Sequence, residues 1–354
     1  MKGTIRAAVL AAALLAALAF AGSAFASFAP KLVVKTVAAG VSVSVNVANA
    51  DDPTAKVSIY VPAGYTLNPP ALGTKLGDVT ATASAADLGG AVLPLTGELD
   101  AIAQSSLTAQ QVAQEQQCLA GAMPQAIWDL HLTAAGQTLD IPMYILQTTG
   151  VETTAGMAKL VVCLPPPDVP PGTPGRATFG AKLLSASFTT NGLTAPASSG
   201  DYRWKSLWTP YNPGMGTPHA SASVEAQSVV HVPTHAILTV TKKRLVSYKK
   251  IHGKRVKVVK TQVKWAASAQ ANGQTVTNAT VTTTKNGAQI GGATGSFILV
   301  KGSVTLATTV AIPDQDLAAA GCRPTPIFGG LPCIDATVGG ATVTASQKVT
   351  AYTK

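Results

Sequence analysis

The sequence has little charge and few aromatic side chains. Charged residues make up 12% of it, and Phe, Trp and Tyr together make up 5%. Long helices of soluble proteins are rich in Glu, Lys, Arg and Leu, so this composition argues against a long-helix protein. Val, Thr, Ala, Ser and Gly predominate instead, as is typical of strands and tight turns. We therefore expect an all-β protein.

The sequence also lacks the short motifs that mark common catalytic sites. It contains no GxSxG, HExxH, phosphate-binding loop or dinucleotide fingerprint. Residues 247–250 (SYKK) have SxxK spacing, but neither an SDN nor a KTG partner accompanies them. His231 and His235 have HxxxH spacing, yet Pro233 prevents the helix that would align both rings on one metal. We expect neither an enzyme nor a resident metal or cofactor.

The first 26 residues have the pattern of a cleaved signal peptide. Lys2 and Arg6 form a short positive region before an uncharged run, and Ala24 and Ala26 give the small-x-small pattern that signal peptidase cuts. No later stretch is long and apolar enough to span a bilayer as a helix. We expect an exported chain that begins at Ser27, lacks a transmembrane span, and is either secreted or held to the cell envelope.

Only four cysteines occur, Cys118, Cys163, Cys322 and Cys333. An even number suits disulfide bonds in an oxidising compartment, and the absence of CxxC argues against a zinc knuckle. Three pairings are open, of which the most local joins Cys118 to Cys163 and Cys322 to Cys333. The second bridge would staple a short loop, residues 322–333, and contribute roughly 3 kcal/mol.

Short alternating segments separated by turn residues run through residues 27–233. Their spacing indicates an antiparallel β-sandwich. One Gln-rich segment, opened by Thr108, predicts a short helix near 108–118. The strand patterns occupy residues 31–37, 41–47, 56–61, 78–84, 127–132, 138–146, 157–164, 177–190, 202–208 and 224–232.

A proline-rich segment, residues 164–174 (LPPPDVPPGTP), interrupts this series. Proline cannot donate to a ladder and restrains the residue before it, so the segment favours a polyproline conformation. Because strand patterns resume after it, we interpret it as a connector within a domain instead of a boundary. The chain is long enough for two domains, and we place the boundary near Pro233, giving domains 27–233 and 234–354.

Three aromatic residues share one face of a predicted strand. Tyr202, Trp204 and Trp208 have the same strand parity. Such a stripe can stack on sugar rings, or it can fill a core that is otherwise built from Val and Ala. The sequence leaves both interpretations open.

The clearest feature is a basic ribbon, residues 242–264, which contains ten Lys or Arg residues. No Asp or Glu occurs from Ala226 through Pro313. Of the 26 Lys and Arg residues, two precede the predicted cleavage site and ten lie in the ribbon, which leaves 14 against 16 acidic residues. The positive charge is therefore localised, and a localised patch attracts polyanions.

The ribbon has the pattern of a β-hairpin. Val259, Val263 and Trp265 alternate with lysines, and His252-Gly253 suits a two-residue turn. This turn would place Lys250 opposite Arg255, and the repulsion predicts a tip that is splayed or mobile unless an anion lies between its arms.

The residues expected to bind an anionic polymer, whether wall polymer or extracellular DNA without sequence specificity, are Lys249, Lys250, Lys254, Arg255 and Lys257. The alternative role for these lysines is to block edge-to-edge aggregation.

Residues 273–281 (GQTVTNATV), followed by Asn286-Gly287, resemble the repeating signature of bacterial immunoglobulin-like and carboxypeptidase-regulatory-type β-sandwiches. The resemblance implies a small residue, here Ala279, where two sheets approach closely. The longer arrangement, from the proline-rich segment through YRWKSLWTPY into a sandwich, is similar to exported bacterial proteins with no assigned activity. It implies envelope display or modular adhesion. Together with the strand patterns, we expect two immunoglobulin-like sandwiches that act as a structural or adhesive envelope module, with other surface proteins as further partners.

Overall fold

The computed structural model describes residues 28–38, 40–68, 70–134, 136–323 and 330–353. The predicted leader, residues 1–26, lies outside the described residues, and so do residues 324–329 of the predicted stapled loop. Among the described residues the chain is mostly β-strand with one α-helix. The all-β prediction is therefore confirmed.

Thirteen strands lie in the described residues up to residue 232. They are β1 (Lys31–Val37), β2 (Gly40–Asn46), β3 (Thr54–Val61), β4 (Thr66–Leu67), β5 (Lys75–Ala85), β6 (Ala91–Ile102), β7 (Ala126–Ala134), β8 (Gln137–Gln147), β9 (Ala158–Cys163), β10 (Ala181–Thr190), β11 (Leu193–Thr194), β12 (Gly200–Pro210) and β13 (Val224–Val232).

The later strands are β14 (Thr234–Ile251), β15 (Lys254–Ala271), β16 (Gln274–Thr275), β17 (Thr280–Lys285), β18 (Ala288–Gly291), β19 (Thr294–Leu299), β20 (Ser303–Ile312), β21 (Gln315–Asp316), β22 (Cys333–Val338) and β23 (Ala341–Thr350). The α-helix is α1 (Ala109–Leu119), and short 3₁₀ helices occupy Ala86–Leu88, Gln104–Ser106, Gly150–Thr154, Thr178–Gly180, Ala220–Ala222 and Ala319–Gly321.

The first unit is built around one large sheet, with β4 and β11 in a separate two-stranded sheet, so the structure does not confirm the immunoglobulin-like form of the predicted sandwich. Thirteen described strands are hydrogen-bonded in the order β1-β2-β10-β5-β6-β7-β8-β9-β3-β12-β13-β22-β21. The sheet rolls up until β1 meets β13 and β22. There the Val34 amide donates to Ser228 Oγ at 2.9 Å, and Thr337 Oγ1 donates to the Leu32 carbonyl at 2.6 Å. One rolled sheet thus encloses the core.

Because side chains alternate along a strand, every second residue faces the inside of the roll, and these residues are mostly apolar. Trp128, Trp204, Trp208, Leu99 and Met143 are among its fully buried members. The outer face carries a second, smaller apolar cluster under α1, so this part of the sheet is covered on both sides.

Helix α1 begins where the sequence predicts. The Thr108 side chain accepts a hydrogen bond from the Gln111 amide, and the Gln111 side chain accepts one from the Thr108 amide, which is a capping box. At the other end Leu119 packs on Ile127 and Tyr144. The Cys118–Cys163 disulfide then fastens the helix to β9.

The disulfide and Trp128 lie on opposite faces of the sheet. Cys118 and Cys163 belong to the outer cluster under α1, whereas Trp128 belongs to the inner core. In immunoglobulin domains the tryptophan packs on the bridge. The first unit therefore lacks this immunoglobulin feature.

The proline-rich segment 164–174 connects β9 to β10, which are members of the same sheet. Residues 315–338 do not belong to the second sheet system, where the predicted domain boundary would put them. Strand β22 pairs in parallel with β13, and β21 pairs with β22, so these residues of the predicted second domain complete the first sheet. The Cys322–Cys333 disulfide, formed as predicted, lies beside them.

The second unit consists of two four-stranded sheets. One contains β14, β15, β16 and β19, and the other has the order β18-β17-β20-β23. Val263, Trp265, Leu306 and Val349 are buried between them. Ala279 immediately precedes β17 and is half-buried.

A close contact within the first of these sheets lies at Gly295. This residue pairs with Trp265 across the ladder, and a Cβ there would lie 2.2 Å from Trp265 Cζ2. The indole therefore occupies the space that a side chain on β19 would need.

We expect Gly295→Ala to lower the free energy of unfolding of the second unit by about 1–3 kcal/mol, because it forces Trp265 to move in a packed core. Urea denaturation followed by tryptophan fluorescence measures this change. Gly292→Ala is the matched control, since a Cβ at Gly292 meets only the Val281 carbonyl oxygen, at 3.4 Å. Equal stability of the two variants would contradict the proposed role of Gly295.

Candidate functional site

The basic ribbon is a long hairpin formed by β14 and β15. The observed pairs include Val246 with Val259, Lys250 with Arg255 and Ile251 with Lys254, as the two-residue turn predicts. The turn residues His252 and Gly253 have φ of 48° and 74°. Two positive φ angles in succession define the type I′ turn, whose twist matches that of the strands. The predicted hairpin and its register are confirmed.

The base of the ribbon is anchored in the second unit. Val259 and Thr261 are buried, and β15 pairs with β19 only from Thr261 to Ala266. Lys242 donates to the Thr350 carbonyl and Arg244 to the Thr353 carbonyl. Beyond this base, within the described residues, the two arms pair only with each other.

The tip is paired up to the turn, so the predicted splaying is wrong, while the mobility offered as its alternative stays a prediction. Two like charges about 4 Å apart repel by only about 1 kcal/mol in water, and long side chains extend away from each other into solvent. The guanidinium of Arg255 also lies over the Tyr248 ring, 4.9 Å from its centre, where a cation–π contact is favourable.

All five residues predicted to bind an anionic polymer are exposed. Directly opposed residues of a ladder share a face, so the cations divide between the two faces of the tip. One face carries Lys250, Arg255 and Lys257 beside Tyr248, and the other carries Lys249 and Lys254. The ribbon therefore presents positive charge on both faces of the hairpin.

The ribbon's cations have no carboxylate partner among the described residues. The reason lies in the sequence of the whole second unit, since residues 234–312 and 341–353 contain no Asp or Glu. They do contain three further lysines, Lys285, Lys301 and Lys348. The unit is cationic throughout.

The aromatic stripe is core and not a sugar-binding face. Trp204 and Trp208 are 0% exposed. Trp204 packs edge-on against Tyr65, with ring centres 4.9 Å apart, and Trp208 Nε1 donates to Ser206 Oγ at 2.8 Å. Tyr202 is half-buried against Tyr65. Of the two interpretations that the sequence leaves open, the core is the one the structure shows for Trp204 and Trp208, because the roll of the sheet turns their face inward.

A second group of polar residues, which sequence reasoning missed, lies on the outer face of the first sheet. We call Asp129, His131 and Asp140 the carboxylate–histidine cluster. Asp129 and His131 are two residues apart on β7, and Asp140 on β8 is the cross-strand partner of His131. One ligand atom from each lies within 4.8 Å of the others, and His131 Nδ1 is 2.6 Å from Asp140 Oδ1.

The three members differ in exposure. Asp129 is only 7% exposed, and its Oδ1 is buried without a hydrogen-bond partner among the described residues. The side chains of His131 and Asp140 are each 49% exposed. Asp100, opposite Asp129 on β6, adds a further negative charge.

These surroundings change the protonation of the cluster. Burial, followed by the negative charges of Asp140 and Asp100, raises the pKa of Asp129 to about 6 although the charge of His131 opposes this. The hydrogen bond to Asp140 raises the pKa of His131 above its ordinary value. Asp129 thus holds its proton far more readily than an exposed aspartate does.

A signal for this cluster was present in the sequence. The strand patterns at 127–132 and 138–146 flank a turn at Gly136, and a hairpin closed there places His131 opposite Asp140. Since Asp129 and His131 are two residues apart on one strand, their side chains lie on the same face.

Comparison of the chain with protein-family models, curated proteins and solved structures finds no match. Within the part of the chain that the structure describes, no helix combines the length and apolarity needed to cross a membrane.

The raised pKa of Asp129 makes stability depend on pH. The folded state favours the protonated carboxyl, so this stabilisation is complete below the unfolded pKa, near 4, and is lost as pH rises through about 6. Asp129→Asn removes the charge. With a metal chelator present, it should raise the free energy of unfolding by about 2–3 kcal/mol near pH 8 and leave it nearly unchanged near pH 4. Chemical denaturation at both pH values measures the difference.

Asp201→Asn is the control, since it also removes an aspartate paired to a histidine at 2.7 Å. Burial raises the pKa of Asp201, but the hydrogen bond and charge of His231 outweigh it and the pKa is lowered. This substitution should therefore not stabilise the protein near pH 8. Stabilisation by both variants, or by neither, would contradict the environment assigned to Asp129.

Proposed function

We propose that this protein is an exported, non-enzymatic structural module of the cell envelope or extracellular space, and that its basic ribbon attaches it to anionic polymers. The main support for this proposal is that a paired, cationic hairpin extends from a unit that contains no carboxylate side chain. No described residue of that unit neutralises the ribbon, so an external anion is its natural counter-charge.

The charge density of the ribbon suits a polyanion. Lys264 pairs with Thr241 and Arg255 with Lys250, so all ten cations lie along the eleven-residue length from Thr241 to Ile251. At about 3.4 Å per residue this length is on the order of 35 Å, or one positive charge in roughly 3–4 Å. Duplex DNA carries one negative charge per about 1.7 Å of its axis. Charge spacings of the same order allow several contacts at once.

The apolar side chains of the tip support the same proposal. Val246, Tyr248 and Ile251 are 46%, 57% and 48% exposed, although residues of this kind are usually buried. An exposed ring among cations can stack on a planar group of the polymer while the lysines contact its charges. Protection of an edge strand needs only a few charges, and it does not call for an exposed tyrosine.

Export and envelope location rest on separate support. The leader pattern of residues 1–26 predicts secretion, and both disulfides suit an oxidising compartment. The two packed sheets of the second unit support the resemblance to bacterial immunoglobulin-like modules. Anchoring by charge would retain such a module without a transmembrane span.

The ribbon's role is tested with a short DNA duplex as a phosphate polymer. We expect wild-type affinity to fall steeply with salt, since each contacted phosphate contributes about −0.9 to the slope of log affinity against log salt concentration. Replacing Lys249, Lys250 and Lys254 by Gln should reduce the steepness of that slope by about 2–3 and weaken binding at low salt. Fluorescence anisotropy over a salt series measures both quantities.

The control replaces Lys285, Lys301 and Lys348 by Gln, which removes the same charge from the same unit outside the ribbon. We expect the slope of this variant to match the wild-type value within experimental error. Equal losses in the two triple variants would show that diffuse charge, and not the ribbon, holds the polymer. Salt-independent binding would reject the electrostatic proposal altogether.

A further inference from the structure

The outer face of the first sheet holds a site that the ribbon does not explain. We propose that the carboxylate–histidine cluster binds a divalent transition-metal ion of the zinc class, through one imidazole nitrogen of His131 and one carboxylate oxygen each from Asp129 and Asp140. The site lies on β7 and β8 in the first unit, whereas the ribbon belongs to the second unit. The two proposals therefore stand or fall separately.

The unpartnered oxygen of Asp129 is the first argument. A buried carboxylate normally receives hydrogen bonds or an ion partner, because an unpaired buried charge is costly. Asp129 is only 7% exposed, so more than nine-tenths of it is buried, yet its Oδ1 has no hydrogen-bond donor among the described residues. A cation between Asp129 and Asp140 supplies the missing partner and removes the repulsion between the two carboxylates.

The donor set is the second argument. One imidazole and two carboxylates resemble the three-ligand sets of zinc sites that leave a coordination position for water. The half-exposed side chains of His131 and Asp140 leave that position open to solvent. A nitrogen ligand favours zinc over magnesium or calcium, which prefer all-oxygen sites with more ligands.

Only small side-chain movements separate this arrangement from a coordination sphere. Ligands about 2.0–2.1 Å from a tetrahedral ion lie about 3.3 Å from one another. His131 Nδ1 and Asp140 Oδ1, now 2.6 Å apart, would separate by under about 1 Å. Since all three ligand atoms already lie within 4.8 Å of one another, no rearrangement of the strands is needed.

The neighbouring strand strengthens the attraction for a cation. Glu98 lies opposite His131 on β6, and Asp100 lies opposite Asp129. Opposed residues share a face, so four carboxylates surround one histidine. Lys75 bonds to Glu98 at 2.6 Å and neutralises part of this charge, but Asp100, Asp129 and Asp140 remain as negative charges near the proposed ion.

Isothermal titration of the full-length protein with Zn²⁺ at neutral pH, after treatment with a chelator, tests the site. We expect one ion per chain, with Mg²⁺ and Ca²⁺ binding more weakly. His131→Gln and Asp129→Asn should each lower zinc affinity by more than about tenfold, since even partners outside the coordination sphere contribute about 10–100-fold. Asp129→Asn is expected to be at least as stable as the wild type without metal, so its loss of affinity would not reflect unfolding.

The chain offers a matched control. His231 Nδ1 lies 2.7 Å from Asp201 Oδ1, the same pairing as in the cluster, but Asp201 there also accepts from the Asn272 amide at 2.9 Å. His231→Gln should therefore leave zinc affinity unchanged. Absence of zinc binding, or binding that survives both His131→Gln and Asp129→Asn, would overturn the proposal. So would an equal loss in His231→Gln.

Discussion

The segregation of charge between the two units is the constraint on which the rest of the structure depends. The second unit has no carboxylate side chain of its own, so no ion pair within it can hold the ribbon. The backbone ladder and an apolar base must do so instead. Val259, Val263 and Trp265 provide that base, and Gly295 leaves the space into which the indole packs. Lys260 and Lys264 lie on the opposite face of β15 from this base, whereas Arg255 and Lys257 share its parity but lie beyond it, at the exposed tip.

The same segregation explains how the two units are connected. The last acidic residues of the chain lie in the segment that returns to the first sheet, where Asp316 and Asp335 pair with Lys31 and Asp314 pairs with Lys35. Because these carboxylates are used at the seam of the rolled sheet, they do not reach the ribbon. The return of β22 beside β13 thus closes the first unit and leaves the second unit uniformly positive.

Much of this architecture could be predicted from local sequence, and the remainder could not. The strand at Lys31–Val37, the cap at Thr108 and the turn at His252-Gly253 each follow from a few adjacent residues, and the structure has all three. Strand β6 was missed because Pro94 and Gly97 interrupt its pattern. The return of residues 315–338 to β13 is a pairing across about 100 residues, for which no local pattern exists. Whether the stripe at Trp204 and Trp208 faces inward likewise depends on how the whole sheet rolls.

Of the candidate sites, the ribbon was visible as a run of charge. The carboxylate–histidine cluster is dispersed over two strands, and it emerges only once their register is known.

On the function proposed above, the tip of the ribbon, and no other described surface, receives an anionic polymer. Hydrogen–deuterium exchange with and without a short DNA duplex tests it most directly, because it locates contact without altering the protein. We expect added protection of backbone amides in residues 245–258, with little change in the first unit. Protection that is absent from the ribbon, or that is concentrated on the rolled sheet, would contradict it.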